Sequence, residues 1–580
     1  MRVRLAKTAG FCMGVRRAVE LALEESNKTE GTLVTFGPLI HNTEVLDLLA
    51  EKGIKVLKDP DRLEGQETAI IRAHGVPPAL KKRLKAGARR VVDATCPRVV
   101  KVQVLIRRYT RQGCQAIIVG DKDHAEVRGL LGYAQEQGVV VSRVDEVAAL
   151  PEYERVMIVA QTTQSEALFQ EVVEAVRRRW PRALIFNTIC PATHERQAEV
   201  MALARQVEGV VVVGGSFSAN TQRLVQLAAG TGKPAFGVES EADLDRETIR
   251  GLCSVGVTAG ASTPNWLIRK VVEELRGLRA RGGSRTKSVC FRVFRFLLKS
   301  NSLVALGGAG LALAGGLAQG IDPSPSLIIV PALYLYAMHI LNHFLDRKAA
   351  VYNDPDLFRF YAKHRLYLIS TAVMAALAGL VQAARLGPAS FLTLTTLSAL
   401  GLIYPVPLVP ARLVHLTRYA KIKDFPGSKP LVIGLAWASI CGLWPLLTFG
   451  RGWAPASWLV FVLIASLAFI RAAFVDVLDI QGDLVVGKET LAINLGEDRS
   501  YLLLVSIAAL SVALAGAGVL TGLLGRAGWV LCLAPAGLGA VILAWRKKKL
   551  MPGIFLDGLV EASLLLAGGL GWLLLALGSW

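Results

Sequence analysis

Residues 91–100 read VVDATCPRVV: an extended apolar run ends at Asp93, a small turn carries Cys96, and Pro97 opens a helical pattern. The same layout recurs in LAKTAGFCMGV (5–15) and LIFNTICPATH (184–194), which places Cys12, Cys96 and Cys190 at intervals of 84 and 94 residues. Self-similarity at a long interval marks related structural units. A second element follows each cysteine. FGPLIHN (36–42), IVGDKDHAEV (118–127) and VVGGSFSAN (212–220) put His41, His124 and Ser218 four residues after a glycine, and 29, 28 and 28 residues after the cysteine. A third closes the series: AIIRAHGVPP (69–78), VMIVAQTTQS (156–165) and SVGVTAGASTP (254–264) end apolar, β-rich runs on His74, Thr162 and Ser262. The expected fold is α/β, three βα lobes about a pseudo-threefold axis. Sites in open parallel sheets form outside the carboxyl ends of the strands, so all nine positions aim at one centre.

The donor types define what such a centre can hold. A cysteine at a helix N-terminus is expected to have a lowered pKa, because the helix dipole favours thiolate. Three thiolates suit a zinc ion with one further ligand, or an iron–sulfur cluster with one iron left open, and the spacing does not choose between them. His41, His74, His124, Ser218, Asn220 and Ser262 are donors suited to an anion, the histidines by charging near neutral pH. Glu126, at the start of a helical run, is placed to relay protons. Cys114 and Cys253, among apolar neighbours, read as core.

The 580 residues are 52% hydrophobic, with a mean hydropathy of +0.43 and a net charge of +20. The apolar residues concentrate in 301–580, as about nine runs of bilayer-spanning length near 302–321, 326–345, 366–384, 389–408, 430–449, 456–475, 501–524, 527–545 and 555–579. With the first half on the cytoplasmic side, the loops on that side carry sixteen Lys and Arg against three opposite. That bias explains the basic charge without nucleic acid. The opening MRVRLAKTAGF has no apolar signal stretch, which agrees with a cytoplasmic first half. Residues 279–300 form a basic linker whose later part, interleaving Phe, Val and Leu with Arg and Lys, suits an interfacial helix.

In the second half, DVLDIQGDLVVGKETLAINLG (476–496) sets Asp476, Asp479 and Asp483 at i, i+3 and i+7, one face of a helix, and LNHFLDRKAAVYND (341–354) sets Asn342 and Asp346 four apart. Carboxylates at membrane depth point to function, and hard oxygen ligands suit Mg²⁺ shared with phosphates. Arg418, Lys421 and Lys423 in RYAKIKDFPGSK (418–429) are candidates to neutralise a diphosphate.

The motifs of the first half, with HN at 41–42, AHGV at 73–76, HAEV at 124–127, QTT at 161–163 and SANTQRL at 218–224, resemble those of the 4-hydroxy-3-methylbut-2-enyl diphosphate reductases over residues 1–278. The resemblance implies a 4Fe–4S cluster on Cys12, Cys96 and Cys190. It implies a diphosphate grip by His41, His74, His124, Ser218, Asn220 and Ser262, proton handling by Glu126 and Thr162, and an external electron donor such as ferredoxin or flavodoxin. Ala125 and Ala219 depart from the family pattern. Residues 295–579 resemble the UbiA superfamily of intramembrane prenyltransferases, which implies a prenyl diphosphate held through Mg²⁺ and an unspecified lipophilic or aromatic acceptor. His343 and Ala350 stand where aspartate is common there, and Asp354 is a possible substitute. The expectation is thus a bifunctional isoprenoid enzyme in the inner membrane: a reductase (1–278), a linker (279–300) and a prenyltransferase (301–580). The alternatives are a reductase tethered by an inactive membrane domain, or a zinc-stabilised membrane scaffold or transporter.

Overall fold

In the computed structural model the chain divides into two units, Met1–Gly283 and Ser284–Trp580. The described residues are 1–28, 31–278, 285–345, 353–404, 427–449, 452–486, 488, 490–547, 549–550 and 553–576.

Twelve short strands build the first unit: β1 (Arg2–Leu5), β2 (Leu33–Phe36), β3 (Ile54–Leu57), β4 (Thr68–Ile71), β5 (Arg90–Asp93), β6 (Gln115–Val119), β7 (Gly138–Val141), β8 (Val156–Ala160), β9 (Leu184–Ile185), β10 (Gly209–Val213), β11 (Ala235–Val238) and β12 (Ser254–Ala259). They form three four-stranded sheets, β3-β2-β4-β5, β7-β6-β8-β9 and β11-β10-β12-β1, and every pairing is parallel. The order is identical in each, so the threefold relation is real at the level of topology. The central strands are continuous Val, Ile and Ala runs because a parallel sheet is covered on both faces; VMIVA in β8 and GVVVV in β10 are buried at every residue.

The cysteines close the lobes. Cys96 follows β5 and Cys190 follows β9, while Cys12 follows β1, which joins the last sheet by pairing with β12. The chain therefore begins inside its third lobe. Cys253 departs from expectation: it is exposed at the start of β12, whereas Cys114 is buried core.

The second unit is helical. Among the described residues, seven of its helices are long and apolar enough to cross a membrane: Pro325–Phe344, Arg365–Arg385, Ser428–Thr448, Pro455–Leu478, Glu497–Leu520, Gly528–Arg546 and Ile554–Gly571. An eighth is possible if Val289–Lys299 and Ser302–Ala318, bent by 67° from each other, make one broken span. Among the described residues this is fewer than the nine expected. The run near 302–321 is a 17-residue helix, and that near 389–408 gives Pro388–Ile403 before entering residues outside the description. The chain is a multi-pass membrane protein.

Candidate active site

The eleven candidate residues of the first unit all line one cavity of about 810 Å³, its open mouth included. The topology explains the convergence. His41, His124 and Ser218 follow the second strand of their sheets, His74, Thr162 and Ser262 the third, and Cys96, Cys190 and Cys12 the fourth. Helices begin immediately after Cys12, Cys96, His124, Cys190 and Ser218, so five N-terminal ends face the cavity wall, a surface that favours anions.

Equivalent backbone bonds fix the cysteines. The Cys96 amide donates to the Ala73 carbonyl at 2.9 Å, that of Cys190 to Thr162 at 2.8 Å, and that of Cys12 to Ala261 at 3.0 Å. Each thiol is thereby tied to the loop carrying the polar residue of the adjacent strand. In VVDATCPRVV, Asp93 does the rest: it accepts from the Thr95 amide at 3.0 Å and hydroxyl at 2.5 Å, and pairs with Lys81 at 2.6 Å. Gly14 makes room for the sulfur, since a Cβ there would collide with Cys96 Sγ.

The expected depression of the thiol pKa is not what the structure gives for Cys96. Burial pushes it up, the amides of Arg98 and Val99 oppose that only in part, and Cys12 and Cys190 raise it further. Desolvation outweighs the helix end at this depth. Negative charge on Cys12 or Cys190 thus opposes a thiolate at Cys96. Three soft donors lining one cavity fit a group that supplies compensating positive charge, a zinc ion or an iron–sulfur cluster alike. Arg196, which the sequence reading missed, is buried beside them. It donates to Ala259 O at 3.0 Å and Gly10 O at 2.5 Å, and Cys12 and Cys190 both act on its charge.

The three histidines cluster with ring centroids 4.7, 5.3 and 5.9 Å apart, and one nitrogen of each lies within 4.8 Å of the others. Burial lowers the pKa of all three, His124 to about 4, so they are neutral in the free site rather than charged near pH 7. They remain donors. His124 Nδ1 accepts the Glu126 amide at 3.2 Å, which places its proton on Nε2. That tautomer suits an anion and opposes metal ligation through Nε2. His74 Nδ1 and Asn220 Nδ2 are buried without a hydrogen-bond partner, as groups awaiting a ligand would be. Ser262 donates to His41 O at 2.9 Å across two lobes, and Ser218 caps its helix by accepting from Thr221 N at 3.4 Å.

Glu126 is 1% exposed. Its carboxylate accepts from the Thr162 amide and hydroxyl, both at 2.8 Å. Burial pushes its pKa up to about 7, against the pull of those two bonds. A carboxyl poised there exchanges a proton near neutrality.

In the second unit, Asp476 is buried and pairs with Lys429 at 2.6 Å, leaving its Oδ2 buried without a partner. Asp483, also buried, accepts from Asn353 at 3.0 Å. The helix breaks at Asp479, between Pro455–Leu478 and Ile480–Val486, so the three aspartates do not share one straight helix face. The Asp483 amide still bonds Asp479 O at 3.0 Å and carries the turn through. Gly482 leaves the space that Asn353 fills. Asp354 caps the helix Pro355–Lys363 through Leu357 N, so it is Asn353 that reaches the aspartates. Asn342 Oδ1 is buried and unpartnered, and His343 stacks on Tyr361 at 3.8 Å between centroids. Asp346, Ala350, Arg418, Lys421 and Lys423 lie outside the described residues.

The LytB protein family profile matches residues 3–276. The 4-hydroxy-3-methylbut-2-enyl diphosphate reductase of Geobacter sulfurreducens is 44% identical over 279 residues, 48% of this chain and 97% of that protein. That of Aquifex aeolicus is 39% identical over 275 residues, 47% of this chain and 95% of that protein. The solved Plasmodium falciparum reductase is similar at 27% identity and a TM-score of 0.45, over 47% of this chain and 87% of its own. A UbiA homolog from Aeropyrum pernix is similar at 16% identity and a TM-score of 0.36, over 47% of this chain and 97% of its own. Through its first unit, the chain belongs to the LytB family of 4-hydroxy-3-methylbut-2-enyl diphosphate reductases.

Proposed function

We propose that the first unit reductively removes the hydroxyl of 4-hydroxy-3-methylbut-2-enyl diphosphate, giving isopentenyl and dimethylallyl diphosphates and water from two electrons and two protons. The observation that carries this reading is the cavity in which three thiols, six anion donors and a carboxyl of raised pKa meet from nine strand ends. Cys12, Cys96 and Cys190 would hold a 4Fe–4S cluster, which supplies electrons from an external donor such as ferredoxin or flavodoxin. His41, His74, His124, Ser218, Asn220 and Ser262 grip the diphosphate and fix the alcohol end toward the cysteines. The anion raises the histidines' pKa values, so they strengthen as donors on binding. Glu126 in its acid form delivers a proton to the departing oxygen, and the Thr162 hydroxyl holds the carboxyl in place. The test is anaerobic turnover: the two five-carbon products should form, and Cys96→Ser should abolish them.

For the second unit the supported reading is Mg²⁺-dependent transfer of a prenyl group to a lipophilic acceptor. Asp476 and Asp483 with Asn342 are buried oxygen donors, and Lys429 sits where cationic charge is needed. Asp346 and Asp479 would complete the set, with Arg418, Lys421 and Lys423 on the departing diphosphate. Mg²⁺ would supply charge stabilisation for that leaving group. Prenyl transfer by membranes carrying the chain, lost in Asp476→Asn while reductase turnover persists, supports this. Equal transfer by the variant contradicts it.

A further inference from the structure

Arg72 stands two residues before His74, in the loop after β4. Its guanidinium is wedged between the loops that carry His41 and His74. Nε donates to Gly75 O at 3.5 Å, and Nη1 lies 2.7 Å from where a Cβ of Gly37 would be. Gly37 has φ +70°, so glycine is required there both for the turn and for the arginine. Arg72 is half-buried, and the charge that acts on it is that of Arg128, another cation. A half-buried guanidinium without a counter-ion is costly, and among the described residues no carboxylate offsets it. It acts on His41, His74 and His124 alike, and is the one cation common to all three.

We propose that Arg72 is a positioning residue for the substrate diphosphate: its unpaired charge, held by Gly37 and Gly75 behind the three histidines, is the counter-charge that sets anion affinity. This rests on the diphosphate-binding reading of the histidine cluster. Arg72 need not touch the ligand. Its charge draws the anion in, and its position braces the two loops from which His41 and His74 reach it. With the histidines neutral in the free site, Arg72 is the cation that acts on all three.

The test uses the cluster-loaded full chain in detergent, comparing wild type, Arg72→Gln and Arg72→Lys. Arg72→Gln should raise KM about tenfold with kcat within about twofold, and flatten the fall of kcat/KM with added salt. Arg72→Lys should recover most of the affinity. Binding of inorganic pyrophosphate, read by calorimetry, should weaken about tenfold in Arg72→Gln and recover in Arg72→Lys. Unchanged KM and pyrophosphate affinity in Arg72→Gln overturn the inference, as does a loss of kcat and cluster content that Arg72→Lys fails to restore. If wild type binds pyrophosphate but does not reduce the five-carbon diphosphate, the reductase reading fails while the calorimetry still decides Arg72. If wild type does not bind pyrophosphate, both fall.

Discussion

Glu126→Gln isolates the proton from the shape. The amide is isosteric with the carboxyl. Its oxygen can accept from the Thr162 amide, and its NH₂ can donate to the Thr162 hydroxyl once that hydroxyl rotates, so both 2.8 Å contacts survive. What is lost is the exchangeable proton. A positioned general acid contributes roughly 10²- to 10⁴-fold, about 3–5 kcal/mol of barrier, so kcat should fall by that factor with KM changed less than about threefold. The pH profile gives the sharper signature. With the carboxyl pushed up to about 7 by burial, the acid form dominates below that pH and is lost above it. A bound diphosphate moves the titration further upward, because it adds negative charge nearby. Wild-type kcat should therefore decline on the alkaline side, above pH 7, and the decline should be absent from the residual activity of Glu126→Gln. Steady-state turnover with a chemical reductant from pH 6 to 9 measures both. A variant within about threefold of wild type, or one keeping the same alkaline limb, refutes the role.

Gly14→Ala should lose cluster content, read as iron and absorbance near 400 nm per chain, because the added Cβ takes the space of Cys96 Sγ. Pyrophosphate binding should take up protons, after its own ionisation is subtracted, and tighten from pH 8 to pH 6, because burial holds the free histidines below their ordinary pKa and an anion reverses that. Calorimetry in buffers of different ionisation enthalpy reads the uptake. Asn353→Ala should impair prenyl transfer without altering reductase turnover, since it removes the amide that donates to buried Asp483 at 3.0 Å; scintillation counting of a labelled prenyl diphosphate follows it.

The site of the first unit was legible because parallel sheets put chemistry at strand ends, and strand ends are marked in sequence by an apolar run meeting a small or polar residue. That is why His41, His124 and Ser218 emerged at matched distances from the cysteines. The cut of the repeat was not legible, because β1 pairs with β12 some 250 residues away and a period does not say where a closed ring of lobes begins. Nor was the protonation of Cys96 or His124, since the sequence shows the helix start but not the burial that opposes it. Arg196 escaped notice in a helix with weak amphipathic pattern; its six-residue distance from Cys190 was the available hint. In the second unit the aspartate spacing was legible. The break at Asp479 and the reach of Asn353 over Gly482 depend on how helices pack and carry no sequence period.

The central claim is that one cavity joins a thiolate-held redox group to a diphosphate grip. Anaerobic incubation of the full chain with 4-hydroxy-3-methylbut-2-enyl diphosphate and a low-potential reductant, with products resolved by mass spectrometry, tests it most directly. The account predicts isopentenyl and dimethylallyl diphosphates from wild type and neither from Cys96→Ser. Intact cluster and bound substrate without either product would contradict it.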